Sequence, residues 1–190
     1  MAAKSEPILV EKQKLAKPPL DIHTLGDRVL RQAAKRVSKV DQEIRTLAKH
    51  MLQTMYTADG IGLAAPQVGI AKQMLVIDID PEEASNVPFI LINPKIRKYG
   101  SDLALGQEGC LSIPGVYLDV KRPDYIEVAY KDVTGRPQVL KADDLLSRVI
   151  QHEMDHLEGV MFVDRVENEF LLNEELVRHG FSRQAVRPVR

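Results

Sequence analysis

An α+β domain with a mostly antiparallel sheet is the fold this sequence predicts, and three observations carry the prediction. An amphipathic helical run begins at Asp41, a second runs into Gly159, and short β-branched runs are grouped between them instead of alternating with helices. Strands that alternate with helices would point to a parallel sheet, whereas strands clustered between two helices point to antiparallel pairing.

With 190 residues, one domain is expected, and the chain is long enough to bury a core. Lys and Arg number 26 against 27 Asp and Glu, so no general charge excess argues for nucleic acid or membrane surfaces as partners. No apolar run reaches a membrane span and the N-terminus has no hydrophobic signal core, so a cytoplasmic protein is expected, with an organelle as the other compartment. The single cysteine, Cys110, cannot close an internal disulfide and on position alone reads as an inert buried thiol.

In chain order, residues 1–19 mix Lys, Glu, Gln and Pro without apolar periodicity and are expected to form a flexible arm. From Asp41, the residues Ile44, Leu47, Ala48, Met51, Leu52 and Met55 fall on one helical face opposite Arg45, Lys49 and Gln53. The stretch from Asp59 to Gly69 is rich in glycine, and from Gly60 onward it carries no charge. That suits close approach of backbone to a ligand. A phosphate loop is excluded, because no Gly-Lys-Ser/Thr follows and the third dinucleotide-fold glycine is missing. Strands are expected at Met74 to Ile79, Phe89 to Ile92, Tyr125 to Tyr130 and Val139 to Leu140, with a hairpin turn at Val133 to Arg136. A second loop punctuated by Gly and Pro, Gln107 to Gly115, carries Cys110.

The second helix holds the chemistry. Leu145, Leu146, Val149 and Ile150 give it helical period, Asp143 or Asp144 is its candidate N-cap, and Gly159 stops it. His152 and His156 lie four apart on one face with Glu153 beside them, the H-E-x-x-H arrangement of two imidazole ligands and an unligated proton acceptor. A hydrolytic site needs a third ligand and an open position. The metalloprotease extension x-x-G-x-x-H fits at Gly159 but meets Phe162 where the histidine belongs. Glu174 or Glu175 would serve an H-E-x-x-H zinc endopeptidase, and Cys110 is a soft ligand suited to a transition metal beside imidazole. A non-catalytic metal-binding domain is the third reading, and no fourth nearby ligand for a closed site favours it.

The three stretches Gly60-Ile61-Gly62-Leu63-Ala64-Ala65-Pro66-Gln67, Glu108-Gly109-Cys110-Leu111-Ser112 and Gln151-His152-Glu153-Met154-Asp155-His156 together resemble the signature motifs of the peptide deformylases, in their order. The likeness runs from Leu20 to Asp164 and implies a catalytic domain over 20–164, with mostly antiparallel β-sheets packed around a central metal-binding helix that carries His152-Glu153-Met154-Asp155-His156. It further implies an enzyme that removes the formyl group from N-formylmethionine of new polypeptides. By motif position it assigns Cys110, His152 and His156 to one metal ion, Glu153 to acid/base work, and Gln67 and the Leu111 N–H to oxyanion stabilisation. Gly60, Ile61, Gly62 and Gly109 would meet the substrate, and Leu145 and Val149 would line the methionine pocket. The implied ion is Fe²⁺, with Zn²⁺, Ni²⁺ or Co²⁺ as substitutes, and a monomer is expected.

Beyond the motifs, 165–190 is expected to form a helix using Phe170, Leu171, Leu176 and Val177, followed by a basic tail with Arg183, Arg187 and Arg190. A tail of that charge suits a contact with ribosomal RNA, the alternative being a disordered end without a partner.

Overall fold

The computed structural model describes Ile8 and residues 10–189. Helix α1 spans Gln42–Thr57, followed by strands β1 (Gly62–Ala64), β2 (Met74–Ile77), β3 (Phe89–Tyr99), β4 (Leu103–Cys110), β5 (Ile113–Pro123), β6 (Tyr125–Lys131) and β7 (Pro137–Asp143). Helices α2 (Asp144–Leu157) and α3 (Glu169–Arg178) complete the order. The strands form a five-stranded sheet in the order β1-β2-β3-β6-β7 and a two-stranded sheet β4-β5. Every ladder among them is antiparallel, as the grouping of strands implied.

Helix α1 starts where the Asp41 side chain accepts a hydrogen bond from the Ile44 N–H at 3.1 Å. Its predicted face is the buried one: Ile44, Ala48, Met51, Leu52 and Met55 enter a core shared with Met74, Val76 and Ile92 of the large sheet. Helix α2 is capped by Asp143, whose backbone is extended but whose side chain makes no capping bond. It ends before Gly159, which takes the left-handed conformation at φ +73 that glycine adopts without cost.

Several elements differ from the sequence expectation. The stretch 107–115 is not a free loop but the end of the β4-β5 hairpin, and 59–69 contains β1 and a 3₁₀ turn at Ala65–Val68. Strand β4 escaped detection because its inward face is Ala104, Gly106, Glu108 and Cys110 while its leucines, Leu103 and Leu105, point to solvent. Strand β5 did carry a signal, since Val116, Leu118 and Val120 alternate with Tyr117, Asp119 and Lys121. The turn at 132–136 is present, closed by Asp132 Oδ1, which accepts from Thr134 N–H and Arg136 N–H.

The arm also departs from expectation. Ile8 is buried in the α1 core, Gln53 Nε2 donates to Gln13 O at 2.7 Å, and Lys12 Nζ pairs with Asp78 Oδ2 at 2.7 Å. Its polar composition conceals this because the lysine itself supplies the anchor. Residues 1–7 and 9, the rest of the expected flexible segment, lie outside the described residues.

In α3 the buried residues are Leu172 and Leu176, whereas Phe170 is 75 % exposed and Val177 73 %. The helix exists and Leu176 of its predicted face is buried, but Leu172 takes the inner place expected for Phe170, Leu171 and Val177. The basic segment over residues 181–189 is pinned back on the domain: Arg187 N–H donates to Asp164 Oδ1 at 2.7 Å and Val189 N–H to Asp164 O at 2.9 Å, while Arg190 lies outside the described residues. Arg31 ties the same carboxylate to Ala185 O.

Candidate metal centre and cleft

Two periodicities meet at the site. On α2, Arg148, His152 and His156 recur every four residues and therefore share a face. On β4, Glu108 and Cys110 are two apart and share the inward face. A register irregularity between Glu108 and Cys110 in the β4-β5 ladder sits at Gly109, a common feature of strand ends beside functional sites. Docking these two faces brings a thiol and two imidazoles together: Cys110, His152 and His156 each offer a ligand atom, all within 4.8 Å of one another. Cys110 Sγ lies 3.3 Å from His156 Nε2. Cys110 is thus a member of a polar cluster, not the inert thiol its position suggested.

Behind the cluster stands a buried ionic network. His152 Nδ1–H donates to Glu108 Oε2 at 2.9 Å, which leaves its other nitrogen facing the cluster. Glu108 is gripped by Arg122 through Nε at 2.6 Å and Nη2 at 2.8 Å, and by Arg148 Nη1 at 2.8 Å. Arg122 continues to Asp155 at 2.8 Å, and Asp155 accepts two bonds from Arg165, both at 2.6 Å. Burial alone would raise the Glu108 pKa, but the bonds from Arg122 and His152 outweigh it and hold the carboxyl well below its usual range. Burial disfavours the charged form of His152 as well, yet its bonds to Cys110 and Glu108 raise its basicity. A carboxylate behind a ligating histidine acts the same way in metal sites. His156, by contrast, is pushed well below the ordinary value, first by burial and then by the neighbouring His152.

Glu153 faces the cleft from the adjoining side of α2. Burial, with the Glu108 charge adding to it, raises its pKa to about 7 against the pull of His152. Among the described residues, the buried side-chain polar atoms left without a partner are Glu153 Oε2 and His156 Nδ1, both at this site. Orphans of this kind mark where atoms other than the protein's belong. Gln67 is held with its amide oxygen accepting from Ala64 N–H at 2.8 Å, so that Nε2 turns toward Ser112 Oγ at 3.2 Å and Cys110 Sγ at 3.4 Å.

The cluster closes one end of a cleft of about 310 Å³. Gly60, Ile61, Gly62, Gly109, Leu111, Leu145 and Val149 all line it, joined by Tyr117 and Arg148. Two of the glycines are needed for space. A Cβ on Gly62 would stand 2.5 Å from Glu153 Oε1, and one on Gly109 2.5 Å from the Tyr117 ring. Glu174 and Glu175 are not part of the cluster; both pair with Arg178 on α3. Phe162, where a protease ligand would sit, stacks on the His152 ring with centroids 5.8 Å apart. The residues the sequence reading missed are Arg122 and Asp155, which hold the site from behind, and the role of Glu108. An arginine and two acids at inward or helix-face positions were the available signal.

The family model for polypeptide deformylase matches residues 19–170. A peptide deformylase of a Nostoc species is 65 % identical over 182 residues, 96 % of this chain and 97 % of the relative, and one of Thermosynechococcus vestitus is equally similar. The crystal structure of a Synechococcus elongatus peptide deformylase in complex with actinonin is 67 % identical with a TM-score of 0.93, covering 94 % of this chain and 97 % of that one. A Thermotoga maritima peptide deformylase superposes with a TM-score of 0.74 at 38 % identity, covering 78 % of this chain and 97 % of that one. Fold, cleft and sequence agree, and the chain belongs to the polypeptide deformylase family.

Proposed function

We propose that the cleft removes the formyl group from the N-terminal formylmethionine of new polypeptides, releasing formate, with Cys110, His152 and His156 holding one Fe²⁺ ion that Zn²⁺, Ni²⁺ or Co²⁺ can replace. The observation that carries this reading is the convergence of one thiol and two imidazoles beside the unpartnered Glu153 at the end of the cleft. The donor set fits the ion: a soft sulfur with imidazole nitrogens suits late first-row metals, and three protein ligands leave a position open. On this reading α2 is a metal-binding helix at the centre of the fold. Bound there, the ion supplies Lewis acidity, polarising the formyl carbonyl and acidifying water.

The chain's own residues do the rest. Glu153, with a pKa of about 7, is poised to take a proton from water as it adds to the formyl carbon and to return it to the departing amine. Gln67 Nε2 and the Leu111 N–H donate to the oxygen as it gains charge, each donor being worth about 3 kcal/mol in the transition state. Backbone of Gly60, Ile61, Gly62 and Gly109 aligns the peptide, and Leu145 and Val149 receive the unbranched methionine side chain. Arg122 and Glu108 keep His152 in one tautomer and one orientation.

The test is anaerobic reconstitution with Fe²⁺, followed by metal analysis and formate release from a formyl-Met peptide. Cys110→Ser is expected to lose metal and activity together, while Glu174→Ala and Glu175→Ala retain both; the reverse result overturns the ligand set. The proposal extends to a monomer acting in the cytoplasm on nascent chains, with the segment after Gly180 touching ribosomal RNA. Exposed Arg187 supports the RNA contact, and among the described residues no helix is long and apolar enough to cross a membrane. Salt-sensitive co-sedimentation with ribosomes, lost in a chain ending at Gly180, is the expected outcome.

A further inference from the structure

Residues 10–14 form one wall of a second groove, of about 920 Å³, whose other walls are Tyr56 at the end of α1 and the loop from Pro81 to Pro88. This groove and the active-site cleft share Asp59 and Gly60 in their walls, and Lys14 Nζ of the arm reaches Asp59 Oδ2 at 2.6 Å where the two adjoin.

The wall is built to stay in place. Asp78 is 1 % exposed, and its Oδ2 accepts from Lys12 Nζ at 2.7 Å and from Tyr56 OH at 2.8 Å. Its Oδ1 accepts from Asp80 N–H at 3.2 Å and Asn86 Nδ2 at 3.3 Å. Lys12 Nζ also donates to Glu83 O at 2.8 Å, which joins the segment to the opposite wall. The Asp78 N–H in turn donates to Ile61 O at 2.9 Å, tying the same anchor to the Gly60–Gly62 edge of the cleft. A lysine drawn from a polar arm into a buried carboxylate is specific placement, since a buried carboxylate requires a partner.

A peptide whose formyl end lies beside Glu153 must lead its remaining residues out of the cleft. An extended chain advances about 3.3 Å per residue and carries unpaired N–H and C=O groups that need partners. The groove beside Asp59 and Gly60 is lined by polar residues, Glu11 and Gln13 from the arm and Glu82 and Asn86 from the opposite loop. We infer that residues 10–14 are an added wall of the substrate cleft, and that the groove they form binds the residues following the formylated methionine. This rests on the deformylase activity proposed above and specifies its substrate as an extended peptide.

The experiment measures kcat/KM for formyl-Met peptides of two to six residues with the metal-loaded enzyme. In the wild type, kcat/KM is expected to rise about tenfold with length, chiefly through KM, as expected for one or two added hydrogen bonds. Two variants attack the groove from opposite sides. Lys12→Met combined with Asp78→Asn releases the wall without leaving a bare buried charge, and Ala84→Trp fills the groove with the anchor intact. In each, the long-to-short ratio should fall below about twofold, given one or two hydrogen bonds lost. A wild type without any gain, or an unchanged ratio in Ala84→Trp, overturns the inference. A wild type inactive even on the formyl-Met dipeptide overturns the deformylase reading itself.

Discussion

Helices α1 and α2 are both amphipathic, of similar length and packed on the same sheet, but they bury opposite kinds of side chain. Helix α1 buries Ile44, Ala48, Met51, Leu52 and Met55, an apolar stripe. Helix α2 buries Ser147, Gln151, His152, Glu153 and His156 beside only a few apolar groups. Burying apolar surface favours folding directly, whereas each buried polar group costs free energy until it is paired. The difference shows which helix holds the domain together and which one the domain is built to hold. Ser147 Oγ and Gln151 Nε2 donate to Pro123 O, and His152 donates to Glu108, which Arg122 and Arg148 hold in turn; among the described residues Glu153 Oε2 and His156 Nδ1 stay unpaired.

The comparison breaks first at Glu153. Glu153→Ala is expected to lower formate release about 10²- to 10⁴-fold, the usual range for a general acid/base, while the metal stays. The melting temperature should be unchanged or raised, because a costly buried carboxylate is gone. A variant that loses its metal would show instead that Glu153 is structural.

Arg122→Met tests the support behind α2. It strands the Glu108 and Asp155 carboxylates, and removing one partner of a buried ionic network costs about 3–5 kcal/mol. Metal affinity should drop about 10- to 100-fold as His152 loses its fixed orientation. Chemical denaturation and metal titration would read the two effects separately. Tight metal binding with unaltered stability would remove Arg122 from the site.

Leu52→Ala, on the other helix, should cost about 2–5 kcal/mol of stability through the cavity it leaves. The kcat/KM of the folded protein should not move. A fall in kcat/KM would mean that α1 and the catalytic end are coupled and the contrast is false.

The finest test lies at the two N-caps. The Asp41 side chain bonds the Ile44 N–H, whereas the Asp143 side chain makes no capping bond. Asp41→Ala should therefore destabilise by about 1 kcal/mol and Asp143→Ala by much less. Equal losses in denaturant melts would show that charge near the helix dipole, and not the hydrogen bond, matters at these ends.

Local periodicity alone determined a good part of this protein. The apolar stripe of α1, the pairing of His152 with His156 one turn apart, the place of Glu153 beside them and the stop at Gly159 all follow from 3.6 residues per turn and from the conformational freedom of glycine. The three motifs, taken jointly, also identified the family and its cleft-lining glycines. Only the tertiary structure decided what lies across space from these residues. Strand β4 has small and charged residues inside and leucines outside, so no hydrophobic alternation marked it, and its Glu108 and Cys110 meet α2 from more than forty positions away in the sequence. The partners of Arg122, the anchoring of Lys12 in Asp78, and the choice of Leu172 over Phe170 as the buried side of α3 belong to the same class. Ion pairs and hydrogen bonds between distant residues leave no repeat in the chain. Their energies depend on burial, which exists only after the sheets and helices have docked.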